Sequence, residues 1–177
     1  MAAAHRVRDA RVNDASALAA LFVEAWRDEH AGLLSEETLA ARSRAESEAN
    51  WLKTLRREEG RDATVLVAGA EALEGIVVGV RKSANWPGAA EVTLVQVARL
   101  ARRRGLGSAL MRAMAGRLAG EGASALIVSV LEVNDRARRF YEALGGELSA
   151  TVHEIEESGV TFNGRTYLWS DISRLIA

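Results

Sequence analysis

The chain has no cysteine, a single proline and only three histidines in 177 residues. Without cysteine there is no disulfide, no thiolate metal site and no cysteine nucleophile. His5, His30 and His153 lie too far apart for a ligand spacing such as H-x-x-x-H, so no metal is expected. No uncharged run approaches the length of a membrane span, and the first six residues lack the apolar core of a secretory signal. The expectation is therefore a cytoplasmic protein with no membrane partner. Charge of neither sign dominates: 23 basic residues face 24 acidic ones, a net charge of −1. A genome-scale nucleic-acid binder is excluded on that balance, and any basic surface must be local. What is present is ordinary for a globular protein, with 49% hydrophobic and 27% charged residues. The length suits one domain, residues 1–177, with a substantial core.

The most informative stretch is Arg102-Arg103-Arg104-Gly105-Leu106-Gly107-Ser108. An apolar, strand-like run, Val92 to Val97, precedes it, and Leu106, Leu110, Met114 and Leu118 follow with helical period. Strand, basic glycine turn and helix in that order make an anion site. The first turn of a helix carries N–H groups with no internal partner, and the macrodipole adds partial positive charge there. Glycine lets a phosphate approach the backbone, and arginine supplies charge that does not titrate away. A Rossmann dinucleotide loop would need a third glycine at 110, where Leu110 stands.

Taken in order, Val7-Arg8-Asp9 reads as a short strand and Asn13-Asp14 as a helix cap. Leu18, Leu21, Phe22, Ala25 and Trp26 form the stripe of an amphipathic helix, broken over Asp28 to Leu34. Ser35-Glu36-Glu37 opens a second helix, expected to run to Arg57 with Ala45, Ala49, Leu52 and Leu55 inward. From Gly60 the period changes. Ala63 to Gly69 and Gly75 to Val80 read as an antiparallel pair turned by Glu71 to Glu74. Asn85-Trp86-Pro87-Gly88 is a turn, and Ala89 to Val97 the next strand. The helix from Leu106 stops at Gly120-Glu121-Gly122, and Ala125 to Val130 reads as a buried strand. Asn134-Asp135 caps a helix in which Ala137, Phe140 and Leu144 share a face, ended by Gly145-Gly146. Tyr141, one residue after Phe140, is then expected to point off the core face. Two last strands, Glu147 to Glu156 and Val160 to Asp171, meet at Glu157-Ser158-Gly159. The order is βααβββαβαββ, an α/β or α+β single domain on a mixed sheet.

In this order of elements and in two motifs the chain resembles the GNAT superfamily of acyl-CoA-dependent N-acetyltransferases. The family's acyl-CoA loop, Arg/Gln-x-x-Gly-x-Gly/Ala, is matched by Arg102, Gly105 and Gly107. Downstream, Asn-x-x-Ala-x-x-Phe-Tyr-x-x-x-Gly is matched by Asn134, Ala137, Phe140, Tyr141 and Gly145. Two patterns at the right separation, each in its structural context, are far more specific than either alone. The chain departs from the pattern at Gly146, where the family often has Phe and where weaker packing is expected. It departs again at Ala98-Arg99, where an acidic residue or proline is usual.

The resemblance implies a central mixed, mostly antiparallel sheet with helices on both faces, and acetyl-CoA as cofactor. It implies that main-chain groups of Arg102, Arg103, Arg104, Gly105, Leu106, Gly107 and Ser108 hold the pyrophosphate, and that Val95 and Val97 pair with the pantetheine arm like an added strand. Asn134 and Arg138 join this cofactor-binding set. Asn134 could equally serve only as a helix cap, and the loop glycines could merely turn the chain between solvated arginines. Tyr141 is implied as the acid that protonates the departing thiolate, its phenol being protonated at neutral pH. The acceptor is a primary amine of a small molecule or peptide. An alkyl ammonium is about 99.9% protonated at pH 7.4, which costs roughly 4 kcal/mol to reverse. Glu91, with Glu132 and His30 as further candidates, could serve as base, although each carboxylate could be a plain surface charge. Trp26, His30 and Trp169 are candidates for acceptor binding, by cation–π contact beside Asp28 and Glu29, although Trp26 also continues a core stripe. Two rivals remain open: an acyl-CoA sensor without turnover, and a nucleic-acid surface around Arg99 to Arg104, against which the net charge argues. A homodimer is left open.

Overall fold

The computed structural model of the chain describes residues 6–57, 63–69, 72–84 and 86–176. Its strands are β1 (Val7–Asp9), β2 (Ala63–Ala68), β3 (Gly75–Val80), β4 (Ala90–Val97), β5 (Leu126–Leu131), β6 (Glu147–Glu157) and β7 (Val160–Trp169). They hydrogen-bond in the order β1-β2-β3-β4-β5-β7-β6. β4 and β5 run parallel, while β1–β2, β5–β7 and β6–β7 are antiparallel. The helices are α1 (Ala15–His30), α2 (Glu36–Ala41), α3 (Arg44–Leu55), α4 (Leu106–Gly120), α5 (Asp135–Ala143) and α6 (Ser173–Ile176). Gly60, Glu71 and Asn85 of the predicted turns lie outside the described residues. The chain forms two compact units: Met1–Val78 with Leu94–Ala113, and Gly79–Thr93 with Met114–Ala177.

In the first unit the stripe of α1 is buried as its period predicts. Ala15, Leu18, Ala19 and Leu21 pack with Val65, Val67, Ile76 and Val78 of β2 and β3 and with Trp51 of α3. A 3-10 turn, Val12–Asp14, leads into α1. Asp14 does not cap the helix in the usual way. Its carboxylate accepts from the Arg11 N–H at 2.7 Å and from both terminal nitrogens of Arg8, at 2.7 and 2.9 Å. The hydrogen bond from Arg8 holds the Asp14 carboxyl below the ordinary carboxylate range.

The single helix expected from Ser35 to Arg57 is two helices. α2 ends at Ala41, and Ser43 caps α3 by accepting from Glu46 N–H at 3.2 Å. The inward face of α3 is corrected in part: Leu52 and Leu55 pack against the core as expected, but Ser47 and Trp51 are buried where Ala45 and Ala49, expected inward, are exposed. Arg27 of α1 closes the end of α2. Its Nε donates to Leu39 O at 2.9 Å and its Nη2 to Ala40 O and Arg42 O at 3.3 and 3.0 Å, satisfying carbonyls that a helix end leaves open. The start of α4 is seated by a missing side chain. A Cβ on Gly75 of β3 would lie 2.7 Å from Leu110 Cδ1, so glycine is what lets Leu106 and Leu110 lie against the strand.

In the second unit Gly79 does the same for the other half of α4, since a Cβ there would lie 2.7 Å from Met114 Sδ. β4 and β5 keep parallel register from Ala90↔Leu126 to Val92↔Val128. The hairpin of β6 and β7 turns at Ser158 and Gly159, with φ of 53° and 80°, the two left-handed residues of a type I′ turn. Tyr141, expected to point off the core face of α5, is instead buried, and Ala137, Phe140 and Leu144 of the expected face are half-buried beside it. The cause is β7, whose Tyr167 and Trp169 give the Tyr141 ring an aromatic partner on that side. The last strand ends at Trp169, short of the expected Asp171, and the chain then forms α6, which buries Leu175.

Candidate functional site

A 3-10 turn, Arg99–Ala101, separates β4 from the basic loop. Arg103 and Gly105 have φ of 65° and 82°, left-handed residues two apart that bend the main chain just before α4. Ala109 is where helical bonding begins, its N–H donating to Gly105 O at 3.0 Å. The N–H groups of Leu106, Gly107 and Ser108 precede it, where a helix has no acceptor of its own. A Cβ on Gly105 would meet nothing within 4 Å, so the main chain here is approachable. Arg103 and Arg104 are exposed, Gly107 and Ser108 are half-buried, and Leu106 is buried as the anchor of the turn. Open main chain, a helix N-terminus and exposed guanidinium groups together suit a pyrophosphate.

Arg102 behaves differently from its neighbours. Its Nε donates to Val97 O at 3.0 Å, and Nη1 pairs with the carboxylate of Asp28. One side chain thus ties the end of β4 and the last turns of α1 to the start of the loop. Val95 and Val97 lie half-buried in the last part of β4, and the Val97 carbonyl already accepts this one bond.

At the end of α1 Trp26 stacks on His30, with ring centroids 4.7 Å apart and planes at 28°. The Arg42 guanidinium lies 3.8 Å from the Trp26 ring. His30 Nδ1 is 2.8 Å from Trp26 O; a carbonyl only accepts, so Nδ1 carries the proton. Gln96, a residue the sequence reading passed over, is buried and donates Nε2 to Glu29 at 3.3 Å. Its position was visible as a lone polar residue between Val95 and Val97 in strand alternation. The acids expected near the acceptor therefore have partners: Asp28 has Arg102 and Glu29 has Gln96. Trp26 and His30 are buried rather than open.

In the second unit Glu91 is buried at 9% exposure, and Ser83 Oγ donates to it at 2.6 Å while accepting from Trp86 N–H at 3.1 Å. Asn134 caps α5, its Oδ1 accepting from Ala137 N–H at 3.1 Å. Arg138 donates to Tyr167 Oη at 3.4 Å and to Glu132 O at 3.2 Å. The Glu132 carboxylate accepts from Asn163 and Arg165 at 3.1 and 3.4 Å. Tyr141, 6% exposed, has its ring 5.8 Å from Tyr167 and 6.3 Å from Trp169, edge-on to the latter. Trp169 is buried and donates Nε1 to Leu144 O at 3.0 Å. No group of three or more acids or histidines placed to hold a metal occurs among the described residues.

The fold and the loop can be set beside known proteins. Residues 83–154 match the family model of FR47-like proteins. Among solved structures, the PaiA N-acetyltransferase of Thermoplasma acidophilum superposes with a TM-score of 0.72 at 19% identity, over 92% of this chain and 98% of its own. A GCN5-related N-acetyltransferase of Rhodopseudomonas palustris gives 0.72 at 20% identity, over 95% and 96%. The fold is that of the GNAT N-acetyltransferases. The ribosomal-protein-alanine N-acetyltransferase of Brucella melitensis shares it as well, with a TM-score of 0.70 at 22% identity, over 93% of this chain and 98% of that one. No curated protein matches the chain by sequence. In this GNAT fold the FR47-like segment contains both motifs that suggested the family, the basic loop and Asn134 to Gly145. No helix among the described residues is long and apolar enough to cross a membrane.

Proposed function

We propose that the chain transfers an acetyl group from acetyl-CoA to a primary amine of a small molecule or peptide, by direct attack of the amine on the thioester. The observation that carries this reading is the loop, in which left-handed Arg103 and Gly105 bare the main chain ahead of α4. The PaiA structure that shares the fold was solved in complex with coenzyme A, which favours the same coenzyme for this chain. The bound coenzyme supplies the activated acetyl thioester. On this reading the N–H groups from Arg103 to Ser108 receive the pyrophosphate, and Arg102 fixes the loop through Val97 and Asp28. Main-chain groups of Val95 and Val97 align the pantetheine. Asn134 sets the first turn of α5, and Arg138 adds positive charge beside it.

Glu91 is the favoured base, since Ser83 orients its carboxylate and a fixed acceptor is what proton removal needs. Tyr141 returns a proton to the leaving thiolate. Trp26, His30 and Trp169 shape the acceptor's surroundings. On this reading the protein works in the cytoplasm as one domain of residues 1–177, without metal, nucleic acid or membrane. The test is an acetylation assay across a panel of amines, following release of free thiol. Turnover with at least one primary amine is expected. Silence across the panel with tight acetyl-CoA binding intact would assign the chain to acyl-CoA sensing instead.

A further inference from the structure

Resting on the reading of Tyr141 as acid, we infer that Tyr167 is a positioning residue: its hydroxyl fastens α5 onto β7 and so sets where the Tyr141 phenol stands. Tyr167 is fully buried toward the end of β7, between Thr166 and Leu168, which pair with Ser129 and Ile127 of β5. A strand paired on both sides, by β5 and by β6, is a better reference point than the helix itself, which spans only nine residues. From this strand the Tyr167 hydroxyl donates to Glu142 Oε1 at 2.7 Å and accepts from Arg138 Nε at 3.4 Å. Glu142 and Arg138 are four residues apart on α5, hence on one face, and Tyr141 lies between them in sequence. A single phenol thus engages the helix twice, on either side of the residue it positions.

Three further contacts close the arrangement. The Tyr141 ring lies against Tyr167 at 5.8 Å, Trp169 donates to Leu144 O at 3.0 Å, and Gly146 N–H donates back to Tyr141 O at 2.9 Å. Burial first, and the bond to Glu142 second, raise the Tyr167 phenol above its ordinary value. It therefore stays a proton donor to Glu142 through the whole range in which an acetyltransferase would be assayed. Tyr167 is not itself the acid. Its proton is already committed to a carboxylate, and returning it to a thiolate would leave Glu142 without its donor.

The experiment is steady-state kinetics on the full chain, with acetyl-CoA and the best amine of the panel. Tyr167→Phe should lower kcat tenfold or more and leave KM for acetyl-CoA within twofold. Glu142→Gln should stay within twofold of wild type, because a carboxamide oxygen still accepts from the phenol, whereas Glu142→Ala should match Tyr167→Phe. The double variant Tyr141→Phe/Tyr167→Phe should be no slower than Tyr141→Phe alone, since a positioning residue has nothing left to position. Should Tyr167→Phe fail to fold, the Glu142 pair carries the same comparison. Wild-type kcat in Tyr167→Phe beside a slow Tyr141→Phe, or losses that multiply in the double variant, overturns the inference alone. A Tyr141→Phe variant with unchanged kcat overturns the acid, and the positioning role falls with it.

Discussion

Gly146 and Trp169 occupy one space: a Cβ on Gly146 would lie 2.8 Å from Cζ2 and 3.0 Å from Cη2 of the Trp169 indole. The missing phenylalanine of the family pattern is thus replaced across the sheet by a larger ring on β7, and the packing expected to weaken there is kept. Gly146→Phe should destabilise the fold by roughly 1–3 kcal/mol through overpacking. The companion change Trp169→Ala should restore part of that loss. Chemical denaturation of the two variants checks it, and equal stability of Gly146→Phe and wild type would show that the two side chains do not compete.

The cradle of the basic loop should be intolerant of bulk and negative charge. Gly107→Asp is expected to abolish acetyl-CoA binding while leaving the melting temperature near that of wild type, because Gly107 lies in the first turn of α4, where acids are tolerated. Calorimetric titration with acetyl-CoA reads this directly. Unchanged affinity would remove the loop from the site.

Tyr141→Phe should lower kcat by about a hundredfold, the usual scale of a lost acid, with KM for acetyl-CoA little changed. An effect on KM alone would mean that the phenol binds rather than protonates.

Acid should loosen the entry to α1. Asp14 has its pKa lowered on folding, mainly by the hydrogen bond from Arg8. Its contribution is therefore present above the unfolded value of about 3.9 and is lost as pH falls through the depressed one. Solvent around Arg8 keeps that contribution to about 1 kcal/mol. Asp14→Asn should be less stable than wild type at pH 7, and the gap should close progressively below about pH 4. A constant gap across that range would deny the ion pair its role.

Much of this architecture is legible in the residue order, and the exceptions have physical causes. The loop, its flanking strand and helix, and the type I′ turn follow from local chemistry, because glycine and helix period act over a few residues. The break between α2 and α3 was legible too: Ser43-Arg44-Ala45-Glu46 has the serine-to-glutamate spacing of a capping box, yet the longer apolar period masks it. The inward turn of Tyr141 could not be read from α5 alone. It depends on Tyr167 and Trp169, which lie 26 and 28 positions further on and meet it only through the β5–β7 pairing. The Arg102–Asp28 pair, 74 positions apart, leaves no local trace either. Charge patterning assigned those two residues to phosphate and amine, and tertiary structure joins them to each other.

Arg27 has a consequence for how the chain can vary. Every acceptor it uses on the far side of the α1–α2 connection is a main-chain carbonyl, of Leu39, Ala40 and Arg42. A guanidinium that reads only backbone is indifferent to the side chains it crosses. Different residues at position 40 would leave the elbow in the same place, held by the same fork. The stretch beyond α1 can therefore drift in sequence while its course in space is held by a single arginine on the preceding helix.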